Sequence, residues 1–460
     1  MKWYSALKRN WIKNTCKIKE NFNSVNLNLL ALCLPILVHL AVFSVKTKFI
    51  WIIIYISIIL FINIKNWPVL AIGIFSILIY ISFIIHHLNY QNVENGKYII
   101  EGVVSKATNS YFIISNNNHN ILVFTNLFVS PMKVIPGATV NVSGFLTTDI
   151  KQLNYDNNFF ISNSITYLLN KPYVEKIVYP TRSINLMIQC YGDNFIYFSR
   201  YWKTIVFGFI NDKIASSKVM LINVPHLLAI SGLHFDILFF VIGIFFKPIT
   251  KKFTKFNYVI WFIMFWYIAL LSNYISGIRS LIMQITKTQK RVRSYQFKYL
   301  DGWLISLFVV FFINFNSIFS YTFIFSFSSS LLILVLNRVV KFKRTWVKNL
   351  LILGLIFLFN LPIVLKINKY FNLFAIIFGI LLTPIFELIY IISIMCFWSV
   401  DFLNSLYYAF DIFLDFLIRI SIIIPISLQI PWTIIGLNFA LWFYGIFIYC
   451  LCKIKKLGLA

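Results

Sequence analysis

The sequence predicts an α-helical polytopic membrane protein with a small all-β domain inserted outside the membrane. Three observations carry that fold class. Of the 460 residues, 60% are hydrophobic and only 12% are charged, far more apolar surface than a soluble core of this size needs. Apolar runs of spanning length recur along the chain. Between Tyr90 and Tyr179, by contrast, the hydropathy falls and short alternating segments replace the long runs.

The first element is a basic amphipathic stretch. Trp3, Leu7, Trp11 and Ile18 share one side of a helical wheel and lysines and Arg9 fill the rest, which suits a helix lying on the inner leaflet. The apolar stretch that follows is too long for a signal peptide and has no small-residue cleavage site. Runs at Leu27 to Val45, Phe49 to Ile64 and Pro68 to Ile85 then predict three spans, so residues 1–89 form an N-terminal unit.

Residues 90–179 read as a β domain. Tyr98 to Val104, Tyr111 to Ile114, Ile121 to Thr125, Thr139 to Phe145 and Phe159 to Leu169 are predicted strands, separated by Asn116-Asn117-Asn118 and Pro136-Gly137. Five short strands in this length suit an OB-fold-like barrel. Six lysines against five carboxylates leave the domain nearly neutral, although the whole chain carries a formal charge of +27. Residues 180–223, with Trp202, Arg182, Arg200, Lys203 and Lys213, are expected as amphipathic helices on the membrane surface.

Residues 224–460 return to apolar runs, at Val224 to Phe246, Leu300 to Leu336, Trp346 to Lys366, Tyr370 to Trp398 and Pro431 to Cys452. With long runs counted as one or two helices, the chain is expected to cross the bilayer about ten to twelve times. The excess charge lies in short clusters: Lys2 to Lys19, Lys247 to Lys255, Lys287 to Lys298, Arg338 to Lys348 and Lys453 to Lys456. This is the positive-inside pattern. It puts the N-terminus and these loops in the cytoplasm and the β domain on the outer face. The six cysteines form no Cys-x-x-Cys pair and read as packing residues.

Two stretches place polar groups in apolar surroundings, where they are costly and usually functional. In the first, His226 and His234 flank Ser231-Gly232. Eight residues of continuous helix separate the histidines by roughly 12 Å, too far to share one metal ion. Unless Ser231-Gly232 unwinds the helix, they are either hydrogen-bonded structural groups or the polar lining of a gate. Asp236 lies two residues beyond, where a regular helix points it elsewhere. In the second stretch, Ser276, Gly277, Arg279 and Met283, Gly277 is expected to break the preceding helix. Arg279 either meets a phosphate or snorkels towards the basic cluster from Lys287. Farther on, Asp411, Asp415 and Arg419 share a helical face, with an Asp415 to Arg419 pair expected.

The string from His226 to His234, His-Leu-Leu-Ala-Ile-Ser-Gly-Leu-His, closely resembles the signature of the ComEC/Rec2 competence family. These are polytopic channels that bring transforming single-stranded DNA across the bacterial inner membrane. Ser276, Arg279 and Met283 match a second family run, with Ile275 standing where proline is usual, and an OB-type barrel after the first helices fits the same family. Phe325-Ser326-Phe327-Ser328 is only a faint echo of a further family segment. None of the six histidines lies in a His-x-His-x-Asp-His cluster, so the chain resembles the shorter members without a metallo-β-lactamase-like domain.

The resemblance implies a multipass inner-membrane channel and no enzyme, with no catalytic residue, metal or cofactor. The DNA path is expected to run past His226, Ser231, Gly232, His234, Ser276 and Arg279. In the barrel, Lys97, Tyr98, Lys106, Tyr111 and Lys133 are candidate DNA contacts, although aromatics in a small barrel are more often core. The implied partners are single-stranded DNA, membrane lipids, a periplasmic DNA receptor and a cytoplasmic ATP-driven motor or single-strand-binding protein, since the chain has no P-loop. A homo-oligomer stays open. Two rivals remain: a transporter or exporter of another solute, and a metal-dependent intramembrane hydrolase using His226, His234 and Asp236.

Overall fold

The computed structural model describes residues 27–41, 67–88, 94–108, 110–116, 119–124, 134–148, 157–180, 184–209, 212–224, 232–252, 257–293, 300–339, 344–368 and 370–425, together with Asn438 and Trp442. The amphipathic N-terminal helix, the run at Phe49 to Ile64 and most of the run at Pro431 to Cys452 lie outside the described residues.

Helices α1 (Leu27–Ala41) and α2 (Trp67–Leu88) pack against each other and lead into the β domain. Strands β1 (Gly96–Ala107), β2 (Tyr111–Asn116), β3 (His119–Phe124), β4 (Thr139–Thr147) and β5 (Ile165–Val178) close into a barrel in the order β1-β2-β3-β5-β4. The pairing of β3 with β5 is parallel and the other pairings are antiparallel. Strand period two puts Ile100, Val104, Phe112, Ile114, Ile121, Val123, Val140, Val142, Tyr167 and Leu169 inside. Gly137, at φ 88, makes the turn into β4 that the Pro136-Gly137 pair predicts.

The fifth strand differs from expectation. Asn157–Ser162 is a short helix, α3, and the strand starts only at Ile165. Phe159 and Phe160 are drawn out of strand conformation by a second apolar cluster outside the barrel. There they meet Ile113 and Leu122, whose side chains point outward from β2 and β3, together with Tyr111, Phe124, Ile165 and Leu168. Asn163 pins this cover, its backbone carbonyl accepting from Asn120 Nδ2 at 2.8 Å and its Oδ1 from Lys106 Nζ at 3.3 Å.

The remaining helices are α4 (Ile184–Cys190), α5 (Ile196–Phe207), α6 (Lys213–Leu221), α7 (Gly232–Lys252), α8 (Asn257–Ala269), α9 (Ile275–Arg293), α10 (Asp301–Ile313), α11 (Tyr321–Val339), α12 (Thr345–Ile367), α13 (Ala375–Met395) and α14 (Val400–Arg419). Among the described residues, two helical stretches are long and apolar enough to cross a membrane, Val347–Ile367 and Ala375–Met395, and several apolar helices are shorter. The long run from Leu300 to Leu336 is a helical hairpin. Asn314 ends α10 and its Oδ1 accepts from Asn316 N at 3.0 Å, starting the 3-10 turn Phe315–Phe319; Ser320 Oγ then accepts from Phe323 N at 3.1 Å to start α11. Helix α3 of the barrel packs on that turn, and Asn316 Nδ2 donates to Ser164 Oγ at 2.7 Å.

Residues 180–223 do not simply lie on a surface. Eight of the twelve residues of α5 are buried, because the helix packs between α13 and α14 with Phe198, Tyr201 and Trp202 in the main apolar cluster. Its polar groups find partners there. Arg200 meets Asp212 at 2.6 Å and Asp411 at 3.5 Å, Tyr201 Oη donates to Asp411 at 2.5 Å, and Lys218 bridges Asp411 at 2.9 Å and Asp415 at 2.7 Å. Asp415 therefore pairs with Lys218 on α6 and not with Arg419, since a partner on a packed neighbour gives shorter geometry than one along the same helix. Short strands β6 (Tyr370–Asn372) and β7 (Ile423–Pro425) pair antiparallel and bring the start of α13 beside the end of α14.

Candidate functional site

Residues 225–231 lie outside the described residues, and with them His226 and Ser231. Gly232 opens α7. Two residues on, His234 is 4% exposed and meets the Tyr390 ring of α13 edge-on, with centroids 4.7 Å apart. The Tyr390 hydroxyl lies 3.0 Å from that of Tyr267, which donates to the Val206 carbonyl at 2.5 Å. A polar line thus links α7, α13, α8 and α5 through otherwise apolar packing. Asp236 points elsewhere, accepting from Gln284 Nε2 on α9.

Helix α9 supplies the second half of the site. Its start is set by Asn273, whose Oδ1 accepts from Ile275 N at 3.2 Å. The turn before it is held by Ser272, whose N and Oγ donate to the carbonyls of Phe207 and Gly208 at 2.9 and 2.6 Å. The helix interruption accordingly falls between Ala269 and Ile275, and not at Gly277 as the sequence suggested. Gly277 lies inside α9 as a contact point: a methyl group there would come within 2.7 Å of Phe235 Cζ and 2.9 Å of Ile268 Cγ1.

Ser276, Arg279 and Ser280 are all buried. The Arg279 guanidinium does not snorkel towards Lys287. It turns sideways, donating through Nη1 to the Ser326 carbonyl on α11 and lying against Gly232. A methyl group on Gly232 would come within 2.8 Å of Ser280 Oγ and closer still to Arg279 Nη2. Among the described residues, Gly232 of the first stretch and Arg279 of the second, about 45 residues apart in sequence, are therefore brought together.

Sequence reasoning set aside Phe325 to Ser328, yet Ser326 supplies the Arg279 acceptor and the Phe327 carbonyl accepts from Trp303 Nε1 at 3.2 Å. Both acceptors are backbone groups, so only the faint Ser-Phe-Ser echo marked them. Tyr390, Tyr267 and Gln284 carried no local signal.

In the barrel the candidate contacts separate. Lys97 and Tyr98 are exposed on β1. Tyr111 instead packs edge-on against Phe159 at 5.4 Å under α3, and Lys106 is half-buried against Asn163. Neither belongs to an open surface, because α3 covers the outer face of β2 and β3. Lys133 lies outside the described residues. Phe145, which pairs with Lys97, and Tyr173, which pairs with Ser143, are exposed aromatics that the sequence reading passed over.

No curated protein and no solved structure matches the chain. A family model described as "Competence protein" matches residues 217–457, more than half of the chain, and that span contains every residue of the site just described on α7, α9, α11 and α13. The chain belongs to the competence protein family, of the ComEC/Rec2 type.

Proposed function

We propose that this protein is the inner-membrane channel that imports single-stranded transforming DNA into the cytoplasm during natural competence. Family membership supports a role in competence and DNA uptake. The observation that carries the finer reading is the meeting of Gly232 with Arg279 and Ser280, which gathers a cation and hydroxyls among apolar helices. Wall groups of this kind replace water around a permeating ion. The proposed path runs past this cluster and His234, with His226 and Ser231 as its flanking members.

The barrel sits on the turn between α10 and α11. The opposite ends of those two helices adjoin the basic clusters Lys287 to Lys298 and Arg338 to Lys348. That arrangement supports a periplasmic barrel above cytoplasmic basic loops. We assign its strand-facing surface to Lys97, Tyr98, Phe145 and Tyr173, where exposed rings offer sequence-tolerant stacking. A periplasmic receptor delivers the strand, and a cytoplasmic motor or single-strand-binding protein draws it in against the membrane potential.

The test is deletion of the gene, scored by transformation frequency and by the location of labelled DNA. The expected result is loss of transformants with DNA held outside the inner membrane. Unchanged transformation, or loss of uptake of a small solute only, overturns the reading.

A further inference from the structure

Helix α13 carries one charged residue, Glu387, inside a stretch long and apolar enough to cross a membrane. The side chain is half-buried, and among the described residues no ion pair or hydrogen bond reaches it. A carboxylate in apolar surroundings is costly without a partner, and such groups are usually functional. Its position ties it to the site described above. Gly379, Thr383, Glu387 and Tyr390 follow one another at helical spacing along one side of α13. Val224 meets that side at Gly379, where a methyl group would lie 3.9 Å from the valine Cγ1, and His234 meets it at Tyr390. The charged groups on the helices packed against α13 are committed elsewhere or stand at helix ends. On α5, Lys203 is held by Asp193 and the Gln189 carbonyl, and Arg200 by Asp212 and Asp411. On α7, Asp236 is held by Gln284, and on α12, Lys348 and Lys366 stand in the first and last turns. The hydroxyls of Tyr201 and Tyr407 face Asp411 and Ser393, and that of Tyr390 faces Tyr267.

We propose that Glu387 is a proton-binding site of the channel domain, which takes one proton from water as the polyanion enters and returns it to water as the strand leaves. With no cation to offset a carboxylate, a proton is the partner that removes the charge and adds no bulk among apolar side chains. A metal ion would need several oxygen ligands, and among the described residues no such group of acids surrounds Glu387. Coupling follows from charge. A phosphate backbone passing His234 repels the carboxylate, so the strand strengthens proton binding and, by reciprocity, the proton favours the strand. A proton that accompanies the strand also offsets part of the work of moving negative charge against an interior-negative potential. The proton site rests on α13 alone, and its link to DNA rests on the channel reading.

In the first experiment, full-length protein in detergent is treated with dicyclohexylcarbodiimide, an apolar reagent for protonated carboxyls, and the adduct is located by mass spectrometry. Glu387 is expected to be modified, and faster at lower pH. No adduct there, or modification by a water-soluble carbodiimide alone, overturns the site. In the second, a single-stranded oligonucleotide is added in weak buffer and the pH is followed. The wild type is expected to take up about one proton per bound strand, Glu387→Gln to lose that proton and Glu387→Asp to keep it. Strand binding without proton uptake, or equal uptake by Glu387→Gln, overturns the coupling. If Glu387→Gln does not accumulate, the wild type decides alone: the strand is expected to extend carbodiimide modification to higher pH, and an unchanged pH profile overturns the coupling. In cells, Glu387→Gln at normal abundance is expected to lower transformation about tenfold, and normal transformation, where gene deletion abolishes it, removes the coupling and leaves the channel reading standing. A Glu387 adduct in a protein whose deletion leaves transformation intact keeps the proton site and removes DNA as its partner.

Discussion

Asn316 Nδ2 donates to Ser164 Oγ at 2.7 Å, a bond spanning 152 residues that ties the turn between α10 and α11 to the barrel. Ser164 holds φ 54, an uncommon value for a residue with a side chain, between α3 and β5. Together with α3 this contact sets where the barrel stands. Asn316→Ala is expected to cost about 1 kcal/mol of docking free energy and to raise amide hydrogen exchange in α3 about fivefold, leaving the inner barrel strands protected. Unchanged exchange in α3 would show that apolar packing alone holds the domain.

The orientation is open to a direct check. A reporter active only outside the cytoplasm, fused at Asn117, which follows β2 in sequence, is expected to be active. Activity of a cytoplasmic reporter at the same position would reverse the proposed topology.

The ion network on α14 separates two acids that look alike in sequence. Asp411 is buried and serves Arg200, Tyr201 and Lys218, whereas the Asp415 side chain is 47% exposed and serves Lys218 alone. Asp411→Ala leaves Arg200 with Asp212 and Lys218 with Asp415 but takes the acceptor from the buried Tyr201 hydroxyl, and is expected to cost about 2–3 kcal/mol, seen as a fall in thermal stability in detergent. Asp415→Ala is expected to cost no more than about 1 kcal/mol, and Arg419→Ala to leave this network intact. Equal losses for the two aspartates would contradict this division.

His234 and Tyr390 test packing against path. Tyr390→Phe keeps the ring contact with His234 but removes the hydroxyl facing Tyr267, and is expected to cost about 1 kcal/mol. His234→Phe keeps an aromatic edge and is expected to preserve protein abundance while lowering transformation at least tenfold. Loss of abundance in step with transformation would make His234 a packing residue only.

Lys106 gives the barrel a pH dependence. Burial against α3 holds its ammonium below the ordinary lysine value of 10.5, so the unfolded chain binds its proton more tightly than the folded one. Barrel stability is expected to rise with pH through the window from the depressed value up to 10.5. Lys106→Met is expected to stabilise the barrel at neutral pH and to flatten that rise, measured by hydrogen exchange of the β strands in the full chain.

How much of this was legible beforehand follows from the range of each interaction. Apolar length, period-two alternation and the positions of Asn, Gly and Pro are local properties, and they place α1, α2, α12, α13 and the first four strands of the barrel within a few residues, whereas the apolar helix α8 was not among the runs they marked. The strings around His234 and Arg279 were likewise readable, because their polar letters stand out in apolar surroundings. Hydropathy alone ran through Asn314 without registering the hairpin between α10 and α11, since one capping residue barely changes a window average. Phe159 and Phe160 read as strand because their aromatic side chains favour it, and only the outward-facing Ile113 and Leu122 turned them into a helical cover. The choice of Lys218 over Arg419 by Asp415, the burial of α5, and the Ser326 carbonyl as the acceptor for Arg279 belong to tertiary structure. Each depends on which helices become neighbours, and in the last case on a backbone group that every residue carries, so no letter of the sequence distinguishes it.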